Sequence, residues 1–229
     1  MQFDHPCRGT FLSRPNRFVA LCCVDGREAP VHVKNTGRLR ELLLPGAEVL
    51  LSRAGAPGRK TAFDLRCVRA GADWVCVDSQ APNALAAECL PRLLPGLRRL
   101  LPEQRYGQSR FDFAFETDAG QGFAEVKGVT LLRNGIALFP DAPTLRGARH
   151  LRELARARAE GYQTLVLFLI QRKGARALMP NRQTHPDFAL ALAEAAAAGV
   201  RLCAMDCLVT AEQTAADAPV PVILDDMEE

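Results

Sequence analysis

Asp112, Glu125 and Lys127 are the residues of this chain whose types and spacing suit a chemical reaction. The stretch Ser109-Arg110-Phe111-Asp112 is followed, across one predicted hairpin, by Glu125-Val126-Lys127. Two carboxylates and a lysine are the minimum set for holding a divalent cation and steering a water at a phosphodiester. If they converge on one face of a sheet, the chemistry is of nuclease type. If they do not, little else in the sequence points to an enzyme.

Alternation argues for convergence. In an extended Phe111-Asp112-Phe113-Ala114-Phe115, the three phenylalanines share one face and Asp112 and Ala114 the other. Glu125 and Lys127 likewise share a face. Folding the strands about Asp118-Ala119 sets residue 112 opposite residue 125, and opposed residues of an antiparallel pair have Cβ atoms about 4.5–5.5 Å apart. Two carboxylates so close repel unless a cation lies between them. Oxygen ligands alone suit Mg²⁺ or Mn²⁺. Lys127 would then orient the attacking water or stabilise developing negative charge. A plain surface salt bridge among the three satisfies the same spacing.

The elements that must position these residues fall into two groups. Residues 1–81 read as short strands broken by turns: Arg17–Val24, Pro30–Val33, Ala47–Leu51, Thr61–Val68 and Trp74–Val77, with a short helical piece at 38–44. Pro45-Gly46, Ala56-Pro57-Gly58 and Gly71 mark breaks. Five short strands suit a small barrel of the OB type, and a five-stranded sandwich fits almost as well. Residues 82–229 change character. Helical patterns at 83–94, 145–160 and 186–198 alternate with strands at 106–117, 122–130, 164–170 and 201–208, which indicates a mixed α/β domain. Thr164–Ile170 is apolar throughout, as in a strand buried on both faces. From Thr210 onward the chain reads as a loose acidic end, with 220–224 able to dock as an extra element.

Composition narrows the class. With 48% hydrophobic residues in 229, a full core can be buried and global disorder is excluded. No apolar run reaches the roughly 20 residues that span a bilayer, and the N-terminus lacks a signal pattern, so the expectation is a cytoplasmic protein without a membrane partner. Net charge is +3, but the six acids from Glu212 onward face no Lys or Arg; without them the body has 29 basic against 20 acidic residues, a net of +9. A polyanionic partner suits that body, and so does a plain arginine bias, since only four of the cations are lysine. The eight cysteines have no C-x-x-C spacing and read as small, reduced core residues.

Further motifs occur in order: Asn35-Thr36-Gly37-Arg38, Tyr106-Gly107-Gln108-Ser109-Arg110-Phe111-Asp112, Glu125-Val126-Lys127, Phe139-Pro140-Asp141-Ala142, Arg146-Gly147 with His150-Leu151, and Gln171-Arg172. Together they resemble the sugar fermentation stimulation protein A (SfsA) family over residues 14–209. That resemblance implies an N-terminal OB-like domain and a C-terminal domain with a PD-(D/E)xK nuclease-like core. It also implies DNA binding and a role in regulating sugar metabolism, particularly of maltose. By motif, Asp112, Glu125 and Lys127 take the metal and catalytic positions. A DNA-binding regulator that keeps the nuclease fold without cleaving is the alternative expectation. Three positions depart from the family pattern: Gly128 replaces the usual serine, Asp141-Ala142-Pro143-Thr144 replaces Asp-Ala-Val-Thr, and Arg149 replaces the lysine before the helix histidine.

The surrounding groups carry double readings. Glu88, on the helix before the sheet, is a candidate third metal ligand; Glu103 could serve in its place. Both are otherwise ordinary surface acids. Asp141 can bind metal, but capping the next helix is the simpler account. Gln171, ending the most apolar strand, can position a water or phosphate or satisfy a backbone group. Arg149, Arg152 and Arg156 form one basic stripe beside Leu151 and Leu154, fit for a phosphate backbone or for solvent alone. His150 suits packing as well as catalysis. Arg38, Arg40 and Arg110 are further candidate contacts to nucleic acid. Asn35 and Gly37 can cradle a phosphate or shape a turn. With aromatics sparse in the barrel strands, backbone contact is favoured over base stacking, and single- and double-stranded DNA stay equally open.

Overall fold

The computed structural model describes residues 1–35, 37–53 and 59–224. Thr36, the Ala56-Pro57-Gly58 break and the last acids of the tail lie outside the described residues.

Strands β1 (Pro6–Asn16), β2 (Val19–Val24), β3 (Arg27–His32), β4 (Glu48–Arg53), β5 (Phe63–Ala70) and β6 (Asp73–Cys76) form the first sheet, in the order β3-β2-β1-β4-β5-β6. A short parallel pairing of β3 with β5, Val31 beside Phe63 and His32 beside Asp64, closes five of them into a barrel. Val31, Val49, Leu51, Leu65 and Val68 fill its interior. The expected five-stranded barrel is present, but with different members. β1 escapes sequence reading because ten of its eleven positions are not buried, so it shows no apolar alternation. Trp74–Val77 marks the sixth strand, which hairpins onto β5 outside the closed ring. The expected helical piece at 38–44 is a pair of turns, with the Leu42 and Leu43 amides both donating to the Leu39 carbonyl. Leu39 itself adopts φ +48°, which no helix continues.

The second domain opens with α1 (Ala81–Leu93). Strands β7 (Leu97–Tyr106), β8 (Ser109–Thr117) and β9 (Gly120–Val129) follow, then the short β10 (Leu132–Arg133) and β11 (Ile136–Phe139). The chain continues through α2 (Leu145–Ala159), β12 (Gln163–Ile170), β13 (Ala177–Pro180), α3 (Pro186–Ala197), β14 (Arg201–Val209) and β15 (Thr214–Val220). The main sheet runs β15-β14-β12-β9-β8-β7, with β9, β12 and β14 parallel. Its centre is covered on both faces, as parallel strands require. Leu165, Leu167 and Leu169 face the core beneath α1, and Val166, Phe168 and Ile170 the core beneath α2 and α3.

Two local expectations change. Residues 211–224 are not loose: Thr214–Val220 is the edge strand beside β14, and Ile223 donates its amide to the Leu178 carbonyl. Polar side chains hold this acidic strand, because Lys173 reaches both Asp206 and Asp217 and the Ala218 amide donates to Asp206. The three phenylalanines of β8 are all buried but do not share a face. Phe113 and Phe115 belong to the core beneath α1, whereas Phe111 joins the core beneath α2. The break falls at Asp112, where the ladder to β9 ends; across β8, Glu103 of β7 takes φ +53°.

Lys34 and Asp78 tie the barrel closure to the junction with α1. Asp64, at the closing pair, holds Arg59 at 2.5 Å and Lys34 at 3.4 Å. Lys34 also lies 3.6 Å from Asp78, which is bonded to Arg66. Burial acts to raise the Asp64 carboxyl, but Arg59 and Lys34 outweigh it and hold the group below the usual value. A depressed carboxylate pKa contributes stability that is complete above the unfolded value and disappears as pH falls through the folded one. Asp64→Asn should therefore cost roughly 2 kcal/mol at neutral pH. The difference from wild type should shrink as pH falls below about 4 and vanish only once pH has passed the lower folded value, as read from denaturant midpoints across pH.

Candidate active site

The carboxyl ends of parallel strands β9 and β12 open on a cleft of about 310 Å³ between barrel and sheet. This is where open α/β sheets place their ligands. Asp112, Glu125, Lys127 and Gln171 all line it, joined by Asn83 from α1, Arg146 from α2 and Asn35 from the barrel.

Simple alternation does not carry Asp112 into the site, because β8 changes face at that residue. The β8–β9 ladder ends at Phe113 opposite Ala124, one pair short of Asp112 and Glu125. There the Asp112 side chain replaces the missing strand bond: Oδ2 accepts from the Val126 amide at 2.8 Å, and Oδ1 accepts from Asn83 Nδ2 at 3.0 Å. Glu125 and Lys127 project together toward α2. The Lys127 ammonium donates to Glu125 Oε1 at 2.5 Å.

His150 is the partner that sequence reasoning left as packing or catalysis. It lies on the buried face of α2, and its Nδ1 meets the same Glu125 Oε1 at 2.5 Å. Arg146, one turn earlier, donates from Nε to His150 Nε2 at 3.3 Å. With Nε2 accepting, the ring proton belongs on Nδ1, pointing at the carboxylate. The signal for this role was a histidine at a buried helical position four residues after an arginine.

One oxygen remains. Glu125 is 3% exposed, its Oε1 takes both donors, and its Oε2 is buried without a hydrogen-bond partner among the described residues. A buried carboxylate oxygen facing no donor is costly unless a cation meets it. The two carboxylates also diverge in acidity. Burial, with the Glu125 charge beside it, pushes Asp112 above the usual carboxylate value. Burial acts to raise Glu125 too, but Lys127 and His150 outweigh it and hold that group low.

The remaining expected site residues scatter. Glu88 is exposed on α1 and paired with the Met1 ammonium at 3.2 Å, so it does not join the cluster. Among the described residues no three His, Cys, Asp or Glu side chains are grouped as a metal cage. Glu103 pairs with Arg110 at 3.3 Å, away from the cleft. Asp141 lines the cleft but does not cap α2; Thr144 does, accepting from the Gly147 amide at 3.0 Å. Gln171 is buried and donates to the Asp78 carbonyl at 3.2 Å, binding sheet to barrel. Asn35 accepts from the Gly37 amide at 2.7 Å and donates to Val77, so its amide shapes the turn. The α2 stripe is uneven: Arg152 is matched by Asp187 and, at 3.8 Å, by Glu194, while Arg149 and Arg156 are exposed beside the Gly107–Gln108 turn. Arg38 and Arg40 are exposed on the barrel.

The model of the SfsA N-terminal OB domain matches residues 12–77, and that of the sugar fermentation stimulation protein RE domain matches residues 80–213. The chain belongs to the sugar fermentation stimulation protein family. A homologue from Desulfitobacterium hafniense (strain Y51) is 47% identical over 225 residues, spanning 98% of this chain and 99% of its own. One from Methanothermobacter thermautotrophicus is 43% identical over 206 residues, 88% of this chain and 86% of its own. The solved structure of Pyrococcus furiosus SfsA in complex with Ca²⁺ superposes with a TM-score of 0.88 at 28% identity, covering 97% of this chain and 98% of that one.

Within this family frame, Gly128 has a physical reason in this chain. A Cβ there would lie 2.6 Å from Gln171 Oε1 and 2.6 Å from Pro82 Cγ. Both neighbours are fixed, one by its bond to Asp78 and one at the start of α1. Gly128→Ala should therefore lower stability by about 1–3 kcal/mol, measured by chemical denaturation.

Proposed function

We propose that this family member hydrolyses phosphodiester bonds of DNA with a divalent cation held by Asp112 and Glu125. The observation that carries the reading is the buried, unpartnered Glu125 Oε2 in a cleft shared with Asp112 and Lys127. An all-oxygen donor set of two carboxylates fits a hard cation, Mg²⁺ or Mn²⁺, that keeps several waters. The Ca²⁺ in the Pyrococcus furiosus relative is of the same oxygen-seeking class. When bound, such a cation polarises a phosphate oxygen and acidifies a coordinated water.

The chain's own residues supply the rest. Asn83 and the Val126 amide fix Asp112 from two sides. His150 and Lys127 fix Glu125 through one oxygen and leave the other free. Lys127, only 14% exposed at its side chain, is placed to orient a water or meet the charge that develops on the phosphate. The first turns of α1 and α2 both reach the cleft through Asn83 and Arg146, adding positive potential where a phosphate would lie.

The test is cleavage of single- and double-stranded DNA with Mg²⁺ or Mn²⁺. Wild type should cleave, and Asp112→Asn and Glu125→Gln should each lose at least about 100-fold. Variants as active as wild type would sink the assignment. A wild type that binds DNA in a salt-sensitive way yet never cleaves would make the protein a binding regulator on a nuclease fold.

A further inference from the structure

Three arginines of the barrel lie over aromatic rings. Arg53 covers Phe63, Arg69 covers Trp74 and Arg17 covers Phe18, with guanidinium carbons 5.4, 5.1 and 4.7 Å from the ring centroids. Phe63 and Trp74 are each 7% exposed, so there the guanidinium seals a core. Phe18 is 43% exposed, the aromatic ring most open to solvent among the described residues. The same device thus ends differently at one position.

That open ring is not loosely held. The Phe18 amide donates to Asn16 Oδ1 at 2.9 Å, and its carbonyl accepts from the Val33 amide at 2.8 Å. Arg14 then fastens the turn to the cleft. Its Nη2 donates to the carbonyls of Arg17 and Asn35, both at 2.8 Å, and its Nη1 to those of Gly37 and Arg38 at 2.9 and 3.0 Å. Asn35 lines the cleft, and Gly37 packs against the Asp141 carboxylate there. One guanidinium therefore couples the Phe18 turn to the barrel-side wall of the candidate active site.

An apolar ring with a cation on it suits a flat π system that carries negative charge on its backbone. A nucleobase has both properties, and stacking on aromatic and guanidinium planes is how single strands are held. A closed duplex offers no free base face in its interior. We propose that Phe18, with Arg17, is a stacking platform for an unpaired base of a DNA strand that continues into the cleft. The exposed Arg38 and Arg40, next along the chain from the cleft wall, meet its phosphates. This inference rests on the nucleic-acid reading of the cleft and adds the substrate class: single-stranded DNA or a frayed end.

The experiment uses the full chain in EDTA, so that affinity is read without cleavage, with a fluorescent oligothymidylate and a blunt duplex of equal length. Phe18→Ala should weaken oligothymidylate binding about 5- to 100-fold and leave the duplex unchanged. Phe18→Trp should retain the affinity and add tryptophan quenching on titration, and Phe18→Leu should behave like the alanine variant. Equal single-strand affinity in Phe18→Ala and wild type, or equal weakening on both DNAs, would overturn the platform while leaving the cleft reading intact. A wild type that binds neither DNA would defeat the nucleic-acid reading itself, and the platform with it.

Discussion

A carboxylate buried in a protein interior must find cations or donors, and Glu125 is the group on which the candidate site of this molecule depends in that respect. It sits in a parallel strand covered on both faces and is itself buried at the edge of the cleft. Lys127 alone, on the same strand, would leave the carboxylate with a single donor. His150 supplies the second donor, and its ring is fixed by Arg146 and by the edge of Phe111, with centroids 5.9 Å apart. The docking of α2 on the sheet is thus tied to the state of one side chain. Because both donors converge on one oxygen, the other is left buried without a partner among the described residues, and this asymmetry turns a satisfied ion pair into a candidate ligand.

The cleft belongs to neither domain alone. The Cys76 amide donates to the Gln171 carbonyl at 2.9 Å, Gln171 donates to Asp78, and Asn35 donates to the Val77 carbonyl. These bonds bring the end of β12, the start of α1 and the barrel loop to one point. Asp112 lies where its own strand leaves regular pairing, so it can bond to α1 and to β9 at once. An irregular residue that re-aims a side chain at a sheet's end is a common way to build a site.

Charge is sorted in the same manner. The chain is rich in arginine, yet many guanidiniums are consumed within the fold: Arg14 by four carbonyls, Arg66 by Asp78, Arg152 by Asp187. Others, such as Arg149 and Arg156 beside the Gly107–Gln108 turn, are exposed. Net charge therefore overstates the exposed positive surface, and the pairing of each arginine decides it.

Much of this was legible in the sequence. The shared parity of Glu125 and Lys127, the apolar β12, the three helices and the order of family motifs all follow from local pattern, because side-chain period and turn chemistry are set by neighbouring residues; the break at Asp112 did not. What escaped was whatever depends on a partner far along the chain. β1 shows no pattern because its faces are mostly exposed, and β15 looked like an acidic tail because its cations, such as Lys173, come from elsewhere. Glu88 has the right type on the right helix but faces the N-terminus, and Asp141 left the capping role to Thr144. Sequence determined which side chains can share a face. Only the tertiary structure decided that His150 and Lys127 meet Glu125 on a single oxygen, since that depends on how a helix packs across the sheet, and burial there leaves the second oxygen without a partner among the described residues.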